Sequence, residues 1–258
     1  MEEANRGTKH LRGVTARKQN SMDHSDILTV ADITMPRTPG ELLEWAKHKN
    51  NQLSATPETR RYTWCGAELP TKFKNEIWPL ALFVANEFSE TPNALVTPNL
   101  SNDNFDATVA FGKGGPKVFI EITQAIDGYD LALRMEAMVR DGFVPLTGPI
   151  RKAGRRGAPD RAVKATVLME DLLDRCAKHL SFVEAAVTRK ARRQYGENFI
   201  LLVVVDDYLG FPDESYHSKL SDFVTSKLLL PDLDFMRLVI FGRSGNLKLA
   251  YRLPRYAA

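Results

Sequence analysis

Two carboxylates sit in segments whose other residues are suited to burial. Asp106 interrupts a run in which Phe105, Ala107, Val109 and Phe111 alternate with Asp106, Thr108 and Ala110, and Glu121 lies in the apolar, β-branched run Val118 to Thr123. A carboxylate in such a place is costly unless it is paired or bound to a metal. The linking residues Gly112-Lys113-Gly114-Gly115-Pro116 suit a hairpin loop. A turn centred on Gly114 would put Asp106 opposite Glu121, or within about one residue of it. Two acids that close repel, and a divalent cation shared between them is the simplest remedy. The plainer alternative is an Asp that caps a turn and a Glu paired with an Arg.

These acids need a sheet and covering helices to position them. Alternation with a period of two predicts a strand over Phe105–Phe111, and the β-branched apolar run predicts a second over Val118–Thr123. Ahead of them, a helix is expected from Thr71 or Lys72 to Phe88, with Phe73, Ile77, Leu80, Ala81 and Val84 at helical spacing and a kink at Pro79. After them comes an amphipathic helix ending at Arg140, stopped by Asp141-Gly142-Phe143. Arg161 to Tyr195 reads as one long helix or two. Phe199 to Val205 reads as a fully buried strand, Ser215 to Leu228 as a helix, and Phe235–Phe241 with Leu247–Leu253 as a second hairpin. Upstream, Thr38, Pro39 and Glu41 carry the signature of a capping box and open a helix. Asn50 to Arg61 reads as a loop, Tyr62 to Pro70 as a connector, and Ile27 to Ile33 as a short strand or loop.

The paired acids resemble the PD-(D/E)xK nuclease superfamily, also called restriction-endonuclease-like, over roughly Lys72 to Tyr208. That family places an Asp on one strand and an (Asp/Glu)-x-Lys on the next, after a helix that often supplies a further Glu. Asp106 matches the first acid and Glu121 the second, but Thr123 stands where the lysine belongs. The resemblance implies an α/β fold with a mixed central sheet and helices on both faces. It implies a metal-dependent nuclease, acting on DNA before RNA, with Mg²⁺ or Mn²⁺ at Asp106 and Glu121. Glu76 is the first candidate for a third metal ligand and Glu87 the second, although Glu76 also reads as a solvated residue on a helix edge. Gln124 is a candidate to orient a water, although as the residue after Thr123 it would point to the other face unless the strand ends there. Lysine at position 123 would help activate water and stabilise the pentavalent phosphate; threonine brings no charge. A degenerate domain that binds nucleic acid or a protein without cutting is therefore the alternative.

The partner must then be a polyanion, and cations must draw it in. Net charge is only +3 over 258 residues, so local clusters have to do this. Arg134 is a candidate phosphate contact. The Gly- and Pro-rich stretch Phe143 to Pro159 holds Arg151, Lys152, Arg155 and Arg156, which suit a phosphate backbone, against the plainer reading of a solvated loop. Lys164 is a speculative substitute for the missing lysine. Arg189, Lys190, Arg192 and Arg193 suit the negative end of a helix dipole without any ligand. Asp206 and Asp207 suit a metal less well than a strand end.

Other classes are disfavoured. Cys65 and Cys176 lie far apart, the five histidines form no ligand pair, and no P-loop or Gly-x-Ser-x-Gly motif occurs. With no run near a membrane span in length and a polar N-terminus, a cytoplasmic protein without membrane contact is expected. A homodimer is left open. The expected organisation is a basic extension over 1–37 and one α/β domain over 38–258.

Overall fold

The computed structural model describes residues 24–64, 68–145, 148–154, 162–168, 171–207, 214–228 and 233–253. A six-stranded mixed sheet lies at its centre, with spatial order β1 (Leu95–Pro98), β2 (Ala107–Ala110), β3 (Lys117–Gln124), β6 (Gly196–Val205), β7 (Phe235–Gly242) and β8 (Lys248–Arg252). The β1-β2-β3 meander and the β7-β8 pair are antiparallel, whereas β3, β6 and β7 run parallel. Strand β6 is buried on both faces from Phe199 to Val205, as its unbroken apolar run requires. A separate two-stranded ribbon is formed by β4 (Ile150–Ala153) and β5 (Ala162–Ala165).

Helices cover both faces. On one, α2 (Pro39–Ser54) and α5 (Trp78–Glu87) pack Leu42, Ala46, Leu80 and Val84 against Ile120, Ile122, Leu202, Val204 and Val239. On the other, α7 (Leu172–Ala191) and α8 (Glu214–Phe223) pack Val183, Val187, Tyr216 and Leu220 against Leu201, Val203, Val205 and Ile240. The alternation of Leu201 to Val205 between the two cores follows from the strand period of two. Thr38 and Glu41 form the expected reciprocal cap on α2. The β2-β3 turn depends on glycine: Gly112 and Gly114 have φ of 78° and 76°, and a Cβ on Gly115 would lie 1.9 Å from the Phe111 carbonyl oxygen.

Three sequence expectations are corrected. The stretch expected to be loop and connector is largely helical: α2 runs on to Ser54 and α3 covers Pro57–Trp64. Part of the basic stretch expected as a loop, and the first residues of the helix expected from Arg161, form strands instead, β4 and β5 of the ribbon. Helix α6 (Gly128–Asp141) packs Leu133 and Ala137 against Ile150 and Val163 of the ribbon, a small core of its own, and α7 makes the return to β6. The third correction concerns the boundary at residue 38. Helix α1 (Val30–Thr34) replaces the expected strand or loop, Leu28 and Ile33 are buried in the main core, and Arg37 pairs its backbone with Val96. Asp32 anchors this segment, accepting from Arg37, Lys49 and the Trp45 indole. Residues 1–23 of the expected extension lie outside the described residues.

The folded unit thus begins before Thr38. Ile33→Ala is expected to cost about 2–5 kcal/mol, the usual range for emptying a fully buried aliphatic site. Urea denaturation checks this, and a loss under about 1 kcal/mol would show that α1 is not part of the cooperative core.

Candidate active site

Pro79 shapes the entrance to this region. Proline has no N–H to give the carbonyl four residues back and crowds it sterically. The helix responds by widening: α4 (Glu68–Lys72) passes into a π turn over Phe73–Ile77 before α5 resumes, with the Trp78 N–H donating to the Phe73 carbonyl. The Asn75 carbonyl, which an α-helix would pair with residue 79, instead accepts from the Gln124 side-chain amide. The same widened turn carries Glu76 and packs against β3.

Asp106 and Glu121 meet as the hairpin argument expects. Ala107 faces Ile120, and the Asp106 N–H donates to the Ile120 carbonyl at 2.8 Å, so the next step along the ladder sets Asp106 against Glu121. The Ile122 N–H donates to the Asp106 carboxylate at 2.6 Å. Glu121 is 4% exposed and forms an ion pair with Lys190, from the last turn of α7. One residue before it, Arg189 donates to the Thr123 hydroxyl at 2.7 Å. Thr123 stands where a lysine is expected, and this end of β3 instead receives two cations from the covering helix. The Tyr195 hydroxyl lies 3.5 Å from Glu121, its ring stacked on Phe235.

The electrostatics record crowded acids in a half-dry place. Burial pushes the Glu76 carboxyl up to about 7, and Asp106 and Glu121 push the same way against Lys72 and Lys190. Burial also raises Asp106, against the Ile122 N–H, Lys190 and Lys72. It raises Glu121 too, where the Lys190 hydrogen bond opposes it and Asp106 adds to it. Burial carries the Tyr195 hydroxyl to about 12. One oxygen of Glu76, Oε2, is buried without a hydrogen-bond partner. An orphaned carboxylate oxygen beside two further acids is a hard-oxygen donor set of the kind that suits Mg²⁺ or Mn²⁺. Among the described residues, no three such side chains already stand close enough together to hold an ion.

The other expected residues are placed elsewhere. Gln124 lies on the opposite face of β3, with Nε2 on the Asn75 carbonyl and Oε1 accepting from Arg243 at 2.8 Å, so it does not face the acids. Arg134 is an internal brace rather than a phosphate contact: its guanidinium binds Asp130 and the carbonyls of Pro145 and Gly148. Glu87, the second choice for a third acid, is taken up by Arg237 and Lys248. Asp207 caps the β7-β8 turn through the Ser244 N–H at 2.8 Å. Lys152 pairs with Glu136 at 2.9 Å, and Arg151 and Lys164 are exposed on the ribbon. Arg155 and Arg156 lie outside the described residues.

Sequence reasoning missed Lys190 and Arg189 as site residues, because cations in a last helical turn already have a sufficient local explanation. The available signal was topological: the helix leading into the buried strand must end beside its parallel neighbour. No family model matches the chain, and neither does any curated protein or solved structure. No described helix is long and apolar enough to cross a membrane.

Glu76 yields a stability prediction. Its folded value of about 7 lies above the ordinary 4.5. The fold therefore favours the protonated form, a stabilisation complete below the ordinary value and lost as pH rises through about 7. Glu76→Gln should raise Tm relative to wild type in metal-free buffer above that window, with the gap closing in mildly acid buffer. A gap independent of pH would show that Glu76 is not held in its protonated form.

Proposed function

We propose that the chain is a metal-dependent nuclease that hydrolyses phosphodiester bonds, with DNA as its substrate. The observation carrying this reading is the Lys190–Glu121 pair, next to Asp106 and two residues along β3 from Thr123, which brings no charge of its own. Acid, acid and lysine are thereby assembled from three elements instead of two. The order α5, β1-β2-β3, crossover helix α7 and parallel β6 supports the resemblance to the restriction-endonuclease-like fold.

Asp106 and Glu121 would hold Mg²⁺ or Mn²⁺, with Glu76 as the third donor. When bound, the cation supplies Lewis acidity toward the scissile phosphate and a water of lowered pKa. The chain's own groups prepare the site. The Ile122 N–H fixes the Asp106 carboxylate on the ladder. Lys190 puts a positive charge where negative charge grows on the phosphate, and in a half-buried site such a charge is screened less than in water. Arg189, tied to Thr123, holds the end of α7 that carries Lys190. Gln124 takes no part in this scheme, since it helps fix the π turn from behind.

Nicking of supercoiled plasmid tests the proposal. Wild type should cut with Mg²⁺ and stop with EDTA. Asp106→Ala and Glu121→Gln should fall to background, and Lys190→Ala should lose about 10²–10³-fold, the usual effect of removing one group that stabilises the transition state. Because Glu121 is buried, Tm is measured beside each rate, and Lys190→Arg serves as the variant that keeps the charge. Equal cutting by wild type and Asp106→Ala overturns the assignment. A wild type that binds DNA yet never cuts it supports the degenerate, binding-only reading instead.

A further inference from the structure

The insertion between β3 and α7 has a face that the carboxylate centre does not use. Helix α6 and the β4-β5 ribbon share a small core in which Ile150 and Val163 pack on Leu133 and Ala137. Three polar links hold the ribbon to its surroundings. Arg134 donates to the Pro145 and Gly148 carbonyls at the approach to β4. Arg140 donates to the Val163 carbonyl in β5 at 2.9 Å. Lys152 pairs with Glu136 of α6. The connection is close as well: a Cβ at Gly148 would fall 2.0 Å from the Thr166 carbonyl oxygen.

The outer face is built differently. Arg151 and Lys164 are direct cross-strand partners, and both are exposed. Like charges facing each other across an antiparallel pair destabilise it. A braced ribbon that keeps such a pair on its open face presents a fixed site for negative charge. The major groove of duplex DNA admits a two-stranded ribbon, and phosphates line its edges. Lys152, one residue from Arg151, takes no share in that face because its ammonium is turned to Glu136.

We infer that the β4-β5 ribbon is a docking arm for duplex DNA, gripping the phosphate backbone through Arg151 and Lys164. The identity of the partner rests on the nuclease reading of the Asp106–Glu121 centre; the geometry of the arm does not. Its function is to hold the duplex by charge while the acids, which repel a polyanion, engage one phosphodiester.

The test measures affinity of the full chain for a labelled random-sequence duplex against salt concentration, with EDTA present so that cleavage cannot contribute. Arg151→Ala combined with Lys164→Ala should flatten the log–log slope by about 1.8, roughly 0.9 for each phosphate that is no longer neutralised. Lys152→Ala should keep the wild-type slope. Tm of the double variant should match or exceed wild type, because a repulsion has been removed. Binding to a single strand should change less than binding to the duplex. An unchanged slope in the double variant overturns the inference, as do an equal drop for Lys152→Ala, an equal weakening on single strands, or no duplex binding by wild type. Asp106→Ala separates the two proposals: it should abolish cutting while leaving the salt slope of wild type. Failure of the cutting assay with the slopes as expected removes only the nuclease reading, and cutting with unchanged slopes removes only the arm.

Discussion

A carboxylate in the middle of a covered sheet sets the terms for the rest of this structure. Glu121 is flanked on its strand by Ile120 and Ile122, both committed to the opposite core, and it lies under α7 with almost no contact with water. Left alone, such a group would be protonated or would open the sheet. Lys190 answers it, and that answer requires α7 to reach its last turn over β3. The apolar face of α7, from Cys176 through Val183 to Val187, keeps the helix in that position against β6. The ion pair and the hydrophobic packing are therefore mutually dependent, and neither alone accounts for the register of helix on sheet.

The π turn serves the neighbouring acid in a comparable way. Pro79 offers no N–H to the Asn75 carbonyl and crowds it, and the freed carbonyl is taken by Gln124 from the back of β3. Arg243, reaching from the β7-β8 turn, completes this arrangement by donating to both Gln124 and Asn75. A defect in helix geometry thus becomes a fixed link between helix and sheet, with Glu76 as the next residue along. Backbone irregularity and a raised carboxyl value coincide there, a combination more typical of functional sites than of packing.

Much of this was legible in the sequence where one local rule governed. The strand period brought Asp106 to Glu121, the apolar run gave β6, and the capping box opened α2. What escaped was decided by distant contacts. Nothing local marks Lys190 as the partner of an acid on another element, and nothing in the composition of residues 50–61 shows that Leu53 and Thr59 are buried in a helical hairpin. Ile150–Ala153, from the segment expected as loop, pairs with Ala162–Ala165, from the expected helix, because α6 offers Leu133 and Ala137 for them to cover, a surface that their own residues do not announce. Gln124 is the opposite case: its residue type suggests a role, while the strand period already puts it on the other face, where it meets Asn75 and Arg243.

The β3–β6 pairing has a consequence for how this chain reaches its fold. Phe119 lies against Phe199, and between them come all of α6, the ribbon and α7. Closing so long a loop carries an entropy cost that grows only slowly with length, so the size of the insertion is tolerated. The delay is kinetic: parallel contacts across such a separation form late compared with hairpins and helices. The β1-β2-β3 meander and the α6-ribbon unit are each made of near neighbours and can assemble early. The Glu121–Lys190 pair spans the same gap, so the meander would first hold its buried acid without its counter-charge. Arrival of α7 would then neutralise that acid and close the sheet in one event, making the site a late product of folding rather than its nucleus.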